Sequence, residues 1–554
     1  METKLKLLVA GAIKDLGLPE VAVEFSVSKQ TEHGDLSTNI AFSLAKEARK
    51  APRMVAADLV EKIKPLPSWV LKVEVAGAGF INFHIQPGAY FEALSQVLQE
   101  GKKFGRSLFG KGEKVILEFV SANPTGPLNI VSARAAAMGD VLANMLDAIG
   151  YKTHREFYVN DVGNQIELFA QSIAARYQQA LGQSTEIPPE GYQGEYLKTF
   201  AEKLATKKDK KYSLNEFKKL GLHEMLEGQK KSLEQFGVTF DKWYSQAELL
   251  KKGAIEKSFK KLKANNYLYE QDGALFFKST AFGDDKDRVV KKQDGEYSYF
   301  ASDIAYHADK FARKFCWVID ILGPDHHGYV ARTKAAVAAL GFSPDKLTVL
   351  IVQQVNLLEN QVVVKMSKRA GKLVTMDDLV EEVGKDVARY FFLQRSASSH
   401  LDFDLELAKK ETPENPVFYI QYAHARIASL FRKAEEQGIK PNFKKLNGTL
   451  LNLPEEKELA KQLLGFPNLL IHAAKELAPH LLAHFALELS RTFQAYYSQA
   501  KHDDRYRVVD ATQPAGTQAK LYLLKNIQIV LQNSLRILGI SAPERMDKDE
   551  PQQL

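Results

Sequence analysis

Residues 115–159 constrain the fold of this chain more than any other stretch. The run 115–120 (VILEFV) is apolar and strand-like, and 121–127 (SANPTGP) ends it in a turn holding two prolines and a glycine. A helix follows, with Ala133, Ala135, Ala136, Ala137 and Gly139 on its first turns and Val141, Leu142, Met145 and Leu146 later, until Gly150 stops it. Residues 152–159 read as the next strand. Strand, turn, helix and strand in this order open a parallel α/β sheet.

At 554 residues the chain is too long for one core, so several domains are expected. Residues 1–108 read as a small α+β domain: 5–16 and 54–63 carry helix-period apolar residues, while 70–75 and 80–85 alternate like strands. A basic, glycine-bearing linker at 102–112 leads into the sheet domain, 109–405. There a polar, lysine-rich, mainly helical stretch at about 165–297 breaks the strand–helix rhythm and reads as an insertion between two halves of the sheet. Strands at 315–322 and 346–353 and a helix at 329–340 then resume the pattern. Residues 406–554 carry helical periodicity across 418–431, 459–487 and 521–538, as an all-α bundle does.

Composition narrows the setting. Cys316 is the one cysteine, so no internal disulfide forms and a reducing cytosol is expected. No run is long and apolar enough to span a bilayer, so no membrane partner is expected. A net charge of +7 permits a polyanionic partner without demanding one.

Residues 365–369 read KMSKR, after the β-prone 362–364 (VVV) and just before Gly371. Lys365 and Lys368 flank the Ser367 hydroxyl. Two ammonium groups so spaced grip a polyphosphate from both sides as charge builds on a leaving pyrophosphate. Taken alone, the same residues make an ordinary solvated basic turn.

Other stretches converge with this one: 33–39 (HGDLSTN), 118–128 (EFVSANPTGPL), 158–165 (YVNDVGNQ), 325–329 (DHHGY), 415–426 (NPVFYIQYAHAR) and 541–546 (SAPERM). With the lysine motif they resemble class I aminoacyl-tRNA synthetases, and the arginyl-tRNA synthetase family in particular, from end to end. The resemblance implies a Rossmann-like parallel-sheet catalytic domain with an insertion, an N-terminal domain that binds the tRNA elbow, and a helical anticodon-binding domain. It implies ATP as co-substrate, Mg²⁺ with it, and L-arginine and its cognate tRNA as partners. A cytoplasmic monomer that activates arginine only with tRNA present is the family expectation.

The resemblance also assigns residues. A guanidinium suits planar carboxylates, and Tyr299 and Asp303 fall where the family lines its arginine pocket, with Glu118 and Asn123 near the substrate's ammonium and carboxylate ends. Without that frame Asp303 is an ordinary helix cap and Glu118 a strand end. Asp325 and His326 follow a sheet strand and complete the site; neighbouring His326 and His327 cannot both face one metal ion from regular structure. For ATP the candidates are Lys365, Ser367 and Lys368, Asn129 and Ser132, and Gln353 and Asn356 on the adenosine side. For tRNA they are Tyr419, Tyr422 and Arg426 at helical spacing, which suits stacking on unpaired bases, with Tyr497 and Met546 added by the resemblance. A tyrosine stripe of this kind is also a common core feature.

One motif departs from the family. Its first nucleotide motif, normally His-Ile/Val-Gly-His, is Asn129-Ile130-Val131-Ser132 here. Both imidazoles are gone, Asn and Ser leave neutral donors, and Val131 puts a branched side chain where glycine lets the base approach. The change leaves open a second reading, a non-catalytic tRNA-binding or regulatory paralogue.

Overall fold

The computed structural model describes residues 1–27, 34–207, 210–364, 375–443 and 450–546. Its centre is a five-stranded, all-parallel sheet. The strands are β1 (Lys114–Glu118), β2 (Lys152–Val159), β3 (Lys242–Ser245), β4 (Trp317–Leu322) and β5 (Leu347–Ile351), in spatial order β5-β4-β1-β2-β3. The chain lays down β1, β2 and β3 in one direction, then crosses to the other side of β1 for β4 and β5. The switch point therefore lies between the C-terminal ends of β1 and β4, where open parallel sheets hold ligands.

Helix α1 (Ile130–Ala148) connects β1 to β2. Its small residues let it lie close on the strands: a Cβ at Gly139 would sit 2.2 Å from the Phe119 ring. Val115 and Leu117 are fully buried in the core they share with it, while Ile116 is buried in a separate cluster with Phe311, Val318, Val337 and Leu347. Helix α2 (Tyr299–Ala312) leads into β4 and turns a polar stripe toward the switch point.

The stretch read as an insertion differs from expectation in one respect: β3 lies inside it and pairs in parallel with β2. A four-residue edge strand, Lys-Trp-Tyr-Ser, is too short and too polar to stand out among lysine-rich helices. Most of the rest of that stretch is helical, with a three-stranded antiparallel sheet near its end.

Around this centre stand two further units. An antiparallel four-stranded sheet with helices occupies the N-terminal part. Four long helices, α3 (Pro416–Glu436), α4 (Pro454–Lys475), α5 (Pro479–Ser498) and α6 (Pro514–Leu538), form the C-terminal bundle. Asp35 docks one on the other, accepting from Lys457 and Lys461 at 3.0 and 2.6 Å. The strands Val355–Glu359, Val362–Val364 and Leu401–Asp404 make a small sheet beside the core.

Candidate functional site

A cleft of about 770 Å³ opens at the C-terminal ends of β1 and β4. The chain leaves β1 through two left-handed residues, Val120 at φ +68° and Ser121 at φ +39°. A β-branched residue there is strained by about 1–3 kcal/mol, so the surrounding contacts must hold it. Ser121 supplies them: its hydroxyl donates to Glu118 Oε1 (2.9 Å) and accepts the Tyr158 N–H (3.1 Å). The turn delivers Asn123 to the cleft, where Asn123 donates to Gln165 Oε1 (2.9 Å) and accepts from Asn160 (3.4 Å).

The floor of the cleft is ionic. Glu118 on β1 and Asp320 on β4 are register partners, and Lys310 of α2 bridges them. His307, also of α2, meets the other Asp320 oxygen at 2.7 Å. Burial opposes the charge on Asp320, but Lys310 and His307 hold its carboxyl well below the usual range. Burial likewise opposes the charge on Lys310, and Asp320 and Glu118 nevertheless push it up to about 12. Asp303, one turn earlier on α2, lines the cleft with a carboxyl that has no hydrogen-bond or ion-pair partner among the described residues. Burial pushes it up to about 6, with His307 opposing and Glu118 reinforcing the rise. Tyr158 adds a buried hydroxyl with no hydrogen-bond partner among the described residues, and burial raises its pKa strongly. Tyr299 stands at the rim, 61% exposed.

The opposite wall starts where α1 begins. Asn129 caps the helix, its Oδ1 accepting the Ser132 N–H at 2.8 Å, which leaves its amide N–H groups for a ligand. Asn129 also bridges Thr375, and the Met376 N–H bonds the Leu128 carbonyl at 2.9 Å. Lys365, Ser367 and Lys368 lie outside the described residues. Arg134, fully buried in α1, donates to the carbonyls of Gln353, Ser396 and Ser399 at 2.7–3.0 Å. It thereby ties α1 to the segments before and after that region. No lysine or arginine among the described residues lines the cleft.

Of the residues expected at the site, Glu118, Asn123, Asn129, Ser132, Tyr299, Asp303 and His326 line this one cavity. Asp325, Gln353 and Asn356 do not. Gln353 faces His327 at 3.5 Å, so His326 and His327 point to different surroundings, and Asn356 donates to Asp402 at 2.9 Å. Sequence reasoning passed over Tyr158, Gln165, His307, Lys310 and Asp320. A signal existed for two of them, since His307 and Lys310 follow Asp303 at helical spacing of four and seven.

On the bundle, Tyr422, Arg426 and Tyr497 meet. The Arg426 guanidinium stands 4.5 Å from the Tyr422 ring and 4.9 Å from that of Tyr497, and it donates to Gln494 at 3.0 Å. All three are half-buried, as is Tyr419 about one turn before Tyr422. The C-terminal tail that carries Met546 lies along the same helix: His424 bonds the Pro543 carbonyl at 2.7 Å, and Arg432 donates to that of Glu544 at 3.3 Å.

Three families match successive parts of the chain. They are the arginyl tRNA synthetase N terminal domain at residues 3–85, tRNA synthetases class I (R), catalytic domain, at 93–395, and the DALR anticodon binding domain at 420–546. A protein named arginine–tRNA ligase from Geobacter sp. (strain M21) is 45% identical over 532 residues, 95% of each chain. One of the same name from Geobacillus thermodenitrificans (strain NG80-2) is 46% identical over 544 residues, 97% of this chain and 96% of its own. The solved structure of Thermus thermophilus arginyl-tRNA synthetase superposes with a TM-score of 0.76 at 22% identity, covering 98% of this chain and 100% of its own. At that identity the likeness is one of fold.

Proposed function

The chain belongs to the arginyl-tRNA synthetase family, and from that premise we infer that it is an arginine–tRNA ligase, joining L-arginine to its cognate tRNA at the expense of ATP. A carboxylate oxygen of arginine attacks the α-phosphorus of ATP, and pyrophosphate leaves. A hydroxyl of the terminal ribose of tRNA then attacks the acyl carbon of arginyl-adenylate, and AMP leaves. Neither step needs a covalent enzyme intermediate, so the protein's work is positioning and the stabilisation of phosphate charge.

The observation that carries this reading is Asp303, a carboxyl without a hydrogen-bond or ion-pair partner among the described residues, in the wall of a cleft at the sheet's switch point. A guanidinium with paired N–H donors is the group such a carboxyl suits. In this reading Tyr299 covers the guanidinium, and Asn123 meets the substrate's ammonium and carboxylate end, steadied by Gln165 and Asn160. Glu118 acts from within its pair with Lys310. His326 lines the same cleft and completes the arginine site, Asn129 and Ser132 offer neutral donors to ATP, and Lys365, Ser367 and Lys368 supply the phosphate grip by motif. Mg²⁺ arrives with the nucleotide; among the described residues no cluster of three or more His, Cys, Asp or Glu is arranged to hold a metal. Tyr419, Tyr422, Arg426, Tyr497 and Met546 form the anticodon face. The setting we propose is the cytosol and the working unit a monomer; among the described residues no helix is long and apolar enough to cross a membrane.

The test is arginine-dependent ATP–pyrophosphate exchange with and without tRNA, followed by charging. Exchange that requires tRNA, together with arginyl-tRNA formation, is expected. Binding of tRNA with neither exchange nor charging would favour the non-catalytic reading that residues 129–132 leave open. Against that reading stand the open acidic pocket and relatives named as ligases that match almost the whole chain.

A further inference from the structure

The cleft wall holds more charge than one arginine side chain requires. Glu118 and Asp320 sit opposite each other on neighbouring strands, a like-charge pair that is destabilising when left alone. Lys310 Nζ lies between them with no exposure, 2.5 Å from Glu118 Oε2 and 2.6 Å from Asp320 Oδ1. His307 Nε2 is 2.7 Å from Asp320 Oδ2, and its Nδ1 is 2.8 Å from the backbone carbonyl of Asp303. A carbonyl and an ionised carboxylate only accept hydrogen bonds, so both ring nitrogens of His307 face acceptors. Glu118 and Asp320 are thus both met from inside the wall, by Lys310 and His307. Of the three acidic residues lining the cleft, Asp303 alone keeps a carboxyl without a partner among the described residues.

We infer that His307 and Lys310 are positioning residues for arginine recognition: by pairing Glu118 and Asp320 internally, they leave Asp303 as the one ionised group that meets the guanidinium. The inference rests on the arginine reading above. Groups from every surrounding element face Asp303: Glu118 of β1, Tyr158 of β2, His307 and Lys310 of α2, and Asp320 of β4. Burial, Glu118 and Asp320 favour its protonated form, while His307 and Lys310 favour the carboxylate. The sign follows directly. As pH falls through about 6, Asp303 takes up a proton and loses its charge toward the guanidinium, so KM for arginine rises on the acid side. Removing either side chain moves that rise to higher pH.

The experiment is KM for arginine in tRNA charging, from about pH 5.5 to about pH 8.5, for the unaltered protein, His307→Asn and Lys310→Gln. The acid-side rise is expected to move up by about one pH unit in each variant. KM then increases about fivefold at about pH 6 and about twofold at about pH 7, while KM at the alkaline end is nearly unchanged. Simple loss of packing raises KM by the same factor at every pH. That result, or an unmoved inflection, overturns the inference. If one variant does not fold, the other decides. If neither folds, calorimetry of arginine binding to the unaltered protein at about pH 6, in buffers of different ionisation heat, reads the proton that Asp303 must release; no release overturns the inference. Should the unaltered protein bind tRNA yet fail to charge it with arginine, the arginine reading itself falls, and the inference with it.

Discussion

At one end of the cleft five ionisable side chains, Glu118, Asp303, His307, Lys310 and Asp320, are gathered around two neighbouring strands and one helix. At the other, where α1 begins, Asn129 and Ser132 offer neutral groups, and no lysine or arginine among the described residues lines the wall. The difference follows from when charge is present. Arginine brings its charge before any bond changes, so a fixed and buried anion can select it, at a desolvation cost repaid in specificity. The charge on pyrophosphate grows only as the bond to the α-phosphorus breaks, and cations that act on it there lower the barrier. In the reading proposed above those cations are Lys365 and Lys368, which follow strand Val362–Val364 in the sequence.

Three substitutions try this contrast. Asp303→Asn removes the selecting charge, and kcat/KM for arginine in exchange is expected to fall roughly a hundredfold to a thousandfold. KM for ATP is expected to change by no more than about twofold; an equal loss on both substrates would show that the two ends are not separable. Lys368→Ala tests the other end. Exchange is expected to fall roughly tenfold to a hundredfold, the scale of a lost charge-assisted hydrogen bond, while tRNA affinity measured by filter binding is unchanged. An undiminished exchange rate would refute that division of labour. The smallest effect belongs to the combined change Asn129→His, Val131→Gly and Ser132→His. It removes the Asn129 cap, worth about 1 kcal/mol, so exchange is expected to stay within about fivefold of the unaltered rate. A gain of tenfold or more would break the contrast, because the neutral end would then be impaired rather than adapted.

Legibility in the sequence followed the same division between local and through-space information. The turn after β1 and the small-residue start of α1 were readable from proline, glycine and alanine placement, because turn chemistry and helix contact act over a few residues. Tyr422 and Arg426 were readable as a pair because four residues make one helical turn. Tyr497 reaches them from another helix, and spacing carries no trace of that approach. Strand β3 was hidden because its four residues have neither length nor alternation to mark them. Arg134 looks like one basic residue among alanines, yet it is fully buried and its donors hold backbone from segments more than two hundred residues away.

The sequence by itself determined which groups are available: one strand–turn–helix unit, a lysine motif after a β-run, a Tyr-Asp pair at 299 and 303, and a first motif without imidazoles. Tertiary structure decided which of them are spent. Glu118 belongs to Lys310, Asp320 to Lys310 and His307, Asn129 in part to its own helix, and the Asp303 carboxyl to no hydrogen-bond or ion-pair partner among the described residues. The physical reason is that helix and turn propensities act between near neighbours along the chain, whereas the partner of a buried charge is fixed by distances across the fold, where water no longer compensates for a poor match.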